Sequence, residues 1–465
     1  MKRIFAIMLA GVLVLTGCGG PSGAGSSTLE GQNKGGEGMP AQTSRVLSEP
    51  VYPDFPKRPA APEGDGLKEW NAYHDAYNKY LDTLDALRGA GSGLEEAERN
   101  LLNGFAAKSI PLALADWEGE NTVFSPLSLW SALAMEAQCA NGNSRQQVLD
   151  ALGVDSMDGL PELVEHIWNT LYTDDGQNSL ILANSIWLNN AKESEYVQET
   201  LDTLAQKHYA GTYTVPMGTA EADQAITDWA KEQTNGLIGG DSPIVETAGD
   251  VLALLASSLY YRAGWLEEFA PEGTEEGTFT DAAGQESRVD FMHANRSTAK
   301  FLRRERYQAA ALSTHLGEMV FVLPDEGITP ESLLEDPEFL SRLDLNGEDR
   351  RIGEVQWSVP KFDVDSQLNL LEMLKELGIT DLQDPDKADL SALTNLSAYL
   401  SDAVQLARVK VDEEGVEAAA VTMLMERCLS APINPEICVM DLNRPFLFVI
   451  RSENIPLFIG VVNQM

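Results

Sequence analysis

The sequence reads as one large domain of mixed helices and strands, set behind a separately built amino-terminal stretch. Three observations carry that reading. Segments with helical spacing of apolar residues are interspersed with short apolar runs of strand character, such as 181–188, 254–265 and 446–450. The chain has 465 residues, so the part beyond residue 93 is long enough for one sizeable core. Its acids are spread along it rather than blocked, as expected of a solvated surface, and no segment repeats.

The amino end is built for export. Met1-Lys2-Arg3 is a short basic region, and 4–15 is an apolar run. That run is too short to span a bilayer and fits a signal peptide over 1–17. Leu15-Thr16-Gly17-Cys18 directly after it resembles a bacterial lipobox. The resemblance implies cleavage before Cys18, lipidation of its thiol, and a protein anchored on the outer face of a bacterial cell membrane, extracellular or periplasmic. Each buried acyl methylene contributes about 0.8 kcal/mol. Residues 18–63 are rich in Gly, Ser and Pro without periodicity, which predicts a flexible tether. In 64–93, Trp70, Tyr73, Tyr77 and Tyr80 join Leu81, Leu84 and Leu87 at helical spacing, which predicts an amphipathic helix packed on the main domain.

Charge and motifs exclude several functions. A formal charge of −39 opposes non-specific binding to nucleic acid or anionic lipid headgroups. There is no nucleophile elbow, phosphate-cradling loop, dinucleotide fingerprint or zinc-protease helix motif. The five histidines are dispersed, with no ligand spacing. The expectation is a non-enzyme, with no catalytic residue, metal or cofactor. Of four cysteines, Cys18 is the lipidation site and Cys139 lies in a helical apolar pattern as a core residue. Cys428 and Cys438 flank Leu429 and two prolines. Outside the cell they are able to form a disulfide, or to stay two free thiols, and the sequence leaves both open.

From residue 94 the elements can be placed in order. Residues 94–110 have helical pattern, and Pro111 is expected to end that helix. Ser125-Pro126 is a capping serine with proline in the first turn of the next helix, and 132–140 continues it. Residues 371–379 have helical spacing ending at Gly378. Near the carboxyl end, Glu413-Glu414-Gly415-Val416-Glu417 leads into Ala418-Ala419-Ala420-Val421-Thr422 and a long stretch closed by Ala431-Pro432 and Asn434-Pro435. By itself the alanine run fits one turn of helix. A loop of this length inside a domain is, however, usually functional or disordered.

Taken together these stretches resemble the serpin family, from about residue 95 to the end. The motifs are Asn121-Thr122-Val123-Phe124-Ser125-Pro126-Leu127-Ser128; the strand around Asn184-Ser185-Ile186-Trp187; and Thr227-Asp228-Trp229 with Thr234-Asn235-Gly236-Leu237-Ile238. Leu254 to Trp265 with Phe269, Thr274 and Phe279 follows, then Val359-Pro360-Lys361-Phe362, the hinge at Glu413, and Asn443-Arg444-Pro445-Phe446 through Gly460. The resemblance implies an α+β fold with a large, mostly antiparallel central sheet, further sheets, surrounding helices and an exposed reactive loop, spanning 94–465. It implies a suicide-substrate inhibitor of serine proteases. The loop is cut, inserts into the central sheet as a new strand, and traps the acyl-enzyme. The implied partners are a target serine protease in covalent complex and, through Cys18, a membrane. No nucleic acid is expected, and the chain is expected to be a monomer.

Particular residues carry these roles. The hinge is Glu413, Gly415, Val416, Glu417, Ala418, Ala419, Ala420 and Thr422. The region that must part when the sheet opens, the shutter, holds Ser125, Ser128, Ser257 and Gln405. Family members commonly have Asn and His, hydrogen-bonded together, at the positions of Ser257 and Gln405. Both replacements here still donate and accept, which reads as a retuned shutter. Thr227 replaces an Asn, and Val416 replaces the usual Thr or Ser, although a β-branched apolar residue still favours strand burial. About seventeen residues from Glu413, the family spacing, place the reactive bond at Leu429-Ser430. Arg427 and Cys428 are the alternative positions for a shorter loop. Leu429 suits an elastase-, chymotrypsin- or subtilisin-like enzyme with an apolar primary pocket. The competing readings are a non-inhibitory surface lipoprotein acting as a binding module, and an inhibitor of papain-like cysteine proteases.

Overall fold

Two short strands, β1 (Gly11–Gly17) and β2 (Arg45–Ser48), precede helix α1 (Leu67–Arg88) in the computed structural model of the chain. The structure describes residues 11–17, 45–50, 52–53, 55–60, 62, 66–88, 93–114, 119–190, 195–239, 243–416 and 436–465, with backbone alone for 11–17. Next come α2 (Glu96–Leu114), β3 (Thr122–Phe124), α3 (Pro126–Cys139), α4 (Gly142–Leu152) and α5 (Leu160–Leu171). They are followed by β4 (Thr173–Asp174), β5 (Ser179–Asn189), α6 (Gln198–Lys207), β6 (Ala210–Val215), α7 (Ala220–Gln233) and β7 (Val251–Gly264). The chain then turns largely to strand: β8 (Glu275–Thr280), β9 (Glu286–Arg303), β10 (Tyr307–Thr314), β11 (Gly317–Pro324), the short helix α8 (Pro330–Leu334), β12 (Arg351–Pro360) and β13 (Phe362–Asn369). Helix α9 (Leu371–Glu376), β14 (Ala398–Val411), β15 (Gly415–Val416), β16 (Glu436–Asp441), β17 (Phe446–Ser452) and β18 (Ile455–Val462) complete it.

Local signals explain the boundaries. The Ser125 side chain accepts from the Ser128 N–H at the start of α3, and Pro126 sits where no intrahelical donor is needed. Gly378, at φ +92°, stands just past α9. Pro111 does not end its helix: α2 runs on to Leu114. The proline lies within the final turn, so its missing donor removes only one bond of a ladder about to stop, while buried Ile110, Ala113 and Leu114 anchor that turn. The resemblance anticipated the α+β class, and the architecture bears it out.

Two sheets organise the domain. In the central sheet the spatial order is β13, β14, a divided position, β7, β5, β6 and β2, with β4 beside β5. Its neighbours are antiparallel except the parallel pair of β5 with β6. The second sheet runs β16, β12, β9, β10, β11, β17, β18, β3, with β8 beside β9. Helix α3 is buried on nearly every face behind the central sheet, so it senses any separation of the strands in front of it. The divided position lies between β7 and β14. There, β15 pairs with both strands at one end and β1 pairs with both at the other.

The amino-terminal stretch differs in part from the expected tether. Described residues from Arg45 onward make contacts with the body. Strand β2 pairs antiparallel with β6 and extends the central sheet. Tyr52 stacks on Trp168 at 5.2 Å and on Tyr172 and Tyr209 at 6.0 Å, and Phe55 lies 4.9 Å from Tyr172. The buried Arg58 side chain meets Asp175 at 3.9 Å and covers the Tyr77 ring at 5.3 Å. Residues 67–88 form helix α1, which buries Tyr73 and Tyr80, whereas Leu81 and Leu87 of the expected apolar face stay exposed. A stretch without periodicity gave no sign of the contacts of Tyr52 and Phe55, because their partners are rings on α5, just after it and just before β6, which only the fold collects. Replacing Asp175 with Ala leaves Arg58 buried without its carboxylate. The expected cost is about 3 kcal/mol, measured as a lowered guanidinium midpoint with an unchanged slope.

Candidate functional site: the hinge and the slot of the central sheet

The hinge begins where β14 ends. Asp412 turns the chain: its N–H donates to the Gly415 carbonyl at 3.1 Å, and its carboxylate accepts from the Glu414 N–H at 3.1 Å. Gly415 and Val416 then enter the sheet opposite Gly264 and Ala263 of β7, and Val416 also pairs with Val411 of β14. Gly415 is required by close approach, since a Cβ there would stand 2.4 Å from the Ala263 carbonyl oxygen. Val416 is 3% exposed and belongs to the main core. The departure from Thr or Ser at this position is therefore compatible with strand entry. Burying such a side chain contributes about 1.5–3 kcal/mol.

Glu413 is held from three sides. Lys361 reaches it at 2.9 Å, the Thr274 hydroxyl donates to it at 2.8 Å, and the Phe269 N–H donates to its backbone carbonyl at 3.1 Å. Trp265 adds two bonds, from its N–H to the Glu414 carbonyl and from its ring N–H to the Asp412 carbonyl, each at 3.0 Å. Burial alone would raise the Glu413 pKa. The hydrogen bonds from Lys361 and Thr274 outweigh it and leave the carboxyl below its ordinary value of 4.5. The same hydrogen bond to Glu413 raises Lys361. Lys361, Trp265, Phe269 and Thr274 carry no chemical motif. They were recognisable only as parts of family blocks, and the fold assembles them into a latch on the hinge.

Below the hinge lies a cavity between β7 and β14, lined by Leu259, Tyr261, Leu406, Val409 and the turn bearing Ser125 and Ser128. Of the four expected shutter residues, Ser125 and Ser128 line it, and Gln405 and Ser257 are bonded to them. Gln405 uses both ends of its amide on one residue, accepting from the Ser125 N–H at 2.8 Å and donating to the Ser125 carbonyl at 2.9 Å. The Ser128 hydroxyl donates to the Ser257 carbonyl at 3.1 Å. The shutter thus ties α3 to β14 and β7 through Ser125 and Ser128. Ser366 of β13 adds a tie the sequence reading missed, accepting from the Val123 N–H at 3.0 Å. Thr227, at the position of the family Asn, accepts from the Ile244 N–H at 3.0 Å.

The remaining expected residues fall as follows. Glu417, Ala418, Ala419, Ala420, Thr422, Arg427, Cys428, Leu429 and Ser430 lie outside the described residues, as does Cys18. Cys438 is a free, buried thiol on the inner face of β16, and burial pushes its pKa up to about 11. Among the described residues no group of His, Cys, Asp and Glu is placed to hold a metal ion. No described helix is long and apolar enough to cross a membrane.

Comparison with known proteins agrees with this geometry. The profile of the family described as Serpin (serine protease inhibitor) matches residues 100–465. Rice Serpin-ZXA is 29% identical over 77% of this chain and 94% of its own length. Serpin B6 of Pongo abelii is 29% identical over 76% of this chain and 94% of its own. Mouse alpha-1-antitrypsin 1-5 is 28% identical over 74% of this chain and 83% of its own. Among solved structures, the thermophilic serpin tengpin in its native state superposes with a TM-score of 0.70 at 27% identity, covering 81% of this chain and 96% of tengpin. Human kallistatin gives 0.68 at 27% identity, covering 79% and 97%. The chain belongs to the serpin family, whose members are in general inhibitors of serine proteases rather than enzymes.

Two outcomes test the site. Gln405→Leu strands the Ser125 N–H and carbonyl in a dry interior. It is expected to cost about 2 kcal/mol, read from the guanidinium midpoint, whereas Gln405→His retains part of the bonding. Glu413 has a lowered folded pKa, so its contribution is complete above about pH 5 and is lost as pH falls through the folded value. The stability gap between the native protein and Glu413→Gln is therefore expected to close on acidification, and a gap independent of pH would remove the latch from the account.

Proposed function

We propose that this protein is a suicide-substrate inhibitor of serine proteases, held on the outer face of a bacterial membrane by lipid at Cys18. The observation that carries the reading is the half-entered hinge. Gly415 and Val416 already occupy the first rungs between β7 and β14, with open space beneath them. In this reading the protease serine oxygen adds to the Leu429 carbonyl carbon. The bond to the Ser430 nitrogen breaks, that amine leaves with a proton, and Leu429 remains esterified to the enzyme. The freed loop continues from Val416 down the slot, gaining a ladder bond on each side per rung, before water hydrolyses the ester. Leu429 suits a protease with an apolar primary pocket.

The slot must be vacant for this to happen. Continued from Val416, the register brings residue 422 opposite Ser257, and residue 424 opposite Leu255 and Ala403. These are the partners of Gly11 and Leu13 in β1. The signal segment thus stands where the distal half of the loop belongs, and cleavage before Cys18 clears it.

The test mixes the chain beginning at Gly19 with elastase-, chymotrypsin-, subtilisin- and trypsin-like proteases. A denaturant-resistant band at the summed mass and a released peptide starting at Ser430 are expected. Clean cleavage with full protease activity across the panel would sink the inhibitor reading. Two variants follow from the geometry. Val416→Asp puts a charge into a buried rung and is expected to turn the inhibitor into a substrate, cut but not trapping, by the same gel assay. An uncleaved full-length Cys18→Ala chain is expected to trap at least tenfold less protease than the chain from Gly19, in line with the slot being filled.

A further inference from the structure

Within 94–465, four large apolar side chains among those described are strongly exposed. Three share one place: Ile352 (53%), Ile437 (47%) and Val439 (49%), the fourth being Val197. They stand on the outer face of β16 and β12. The parallel register sets Ile437 beside Glu354 and Val439 beside Gln356, and Ile352 is the next residue of that face along β12. The alternate residues Cys438, Met440, Val355 and Trp357 are buried on the inner face. Single exposed apolar residues are ordinary, whereas a grouped set inside a polar rim marks a contact surface.

The surface on offer is the face of the sheet, because its edge is closed. β16 is the outermost strand, but Arg303 donates to the Ile437 carbonyl at 3.2 Å and Gln308 donates to the Val439 carbonyl. Satisfied edge carbonyls disfavour addition of another strand. The rim leans positive in a chain of net charge −39: Arg303 and Arg351 share the carboxylate of Glu436, and Lys300 stands opposite Ile352, against one further carboxylate, Glu354 beside Ile437.

We infer that Ile352, Ile437 and Val439 form a second docking surface for the target serine protease, beside the reactive loop. The inference rests on the inhibitor reading above. Continuity along the chain selects this occupant. Ile437 lies seven residues beyond Ser430, a span of at most about 24 Å when fully extended. A standard protein interface covers about 800 Å² per partner, or about 30 Å across, so an enzyme seated on the loop overhangs a surface within that reach. The enzyme is one that carries apolar side chains edged by acidic groups on the leaving side of its substrate groove, complementary to this patch and its arginines. The contact forms in the encounter complex and acts before the bond is cut.

The experiment uses the chain from Gly19 and a protease with which it forms a covalent complex. Ile437→Ser combined with Val439→Ser is expected to lower the second-order rate of complex formation about tenfold. The fraction of cut loop that ends in complex, and the guanidinium midpoint, are expected to stay unchanged, because both side chains are half exposed and neither enters the slot. A variant rate equal to that of the native protein overturns the inference while leaving the inhibitor reading intact. If the unaltered chain traps no protease in the panel, both fall together. Sedimentation of both proteins decides against self-association: monomers are expected, and a dimer that the double variant abolishes would reassign the patch to a second copy of this chain.

Discussion

The described residues are organised around one divided position in the central sheet, between β7 and β14, which β15 occupies at one end and β1 at the other. β7 and β14 are long, antiparallel and already paired on their outer sides, to β5 and to β13. Their facing edges have backbone groups to satisfy, and an unpaired buried donor or acceptor is costly. The position therefore draws in whatever extended chain is available. The hinge takes one end and β1 the other.

Two polar devices hold the gap in its starting arrangement, and they work differently. At the top, Glu413 is clasped by Lys361 and Thr274 while Trp265 and Phe269 bind the backbone around it. This latch fixes the path of the hinge but leaves Val416 aimed down the slot. At the middle, Gln405 and Ser128 tie helix α3 to the strands on both sides. Loosening the first frees the hinge, and loosening the second frees the strands. The family pair at Ser257 and Gln405 has been exchanged for a side chain that grips the Ser125 backbone alone, so the tie survives with other partners.

The amino-terminal extension adds a third restraint. By pairing β2 with β6 and pressing Tyr52 and Phe55 onto α5 and its neighbours, it braces the edge of the sheet opposite β13.

Much of this was legible in the residues. The Ser125-Pro126 cap, the aromatic spacing of α1, the strand runs of β5, β7 and β17, and the small-residue hinge each carry a local cause that survives without context. They determine the family and, through it, the order of elements. Other features have no local cause. Pro111 was misjudged because its cost depends on how near the helix is to its end. Tyr52, Phe55 and Arg58 showed no pattern because their partners lie on other elements. The grip of Lys361 on Glu413, the turn of Gln405 toward Ser125, and the grouping of Ile352 with Ile437 and Val439 join residues far apart in the chain. Sequence by itself determined which segments could become strand, helix or inserting loop, since those choices follow from backbone preference and periodicity. Only the tertiary structure decided which strand position is shared between β15 and β1 and what holds it, because that is settled by competition among distant segments for the same backbone hydrogen bonds.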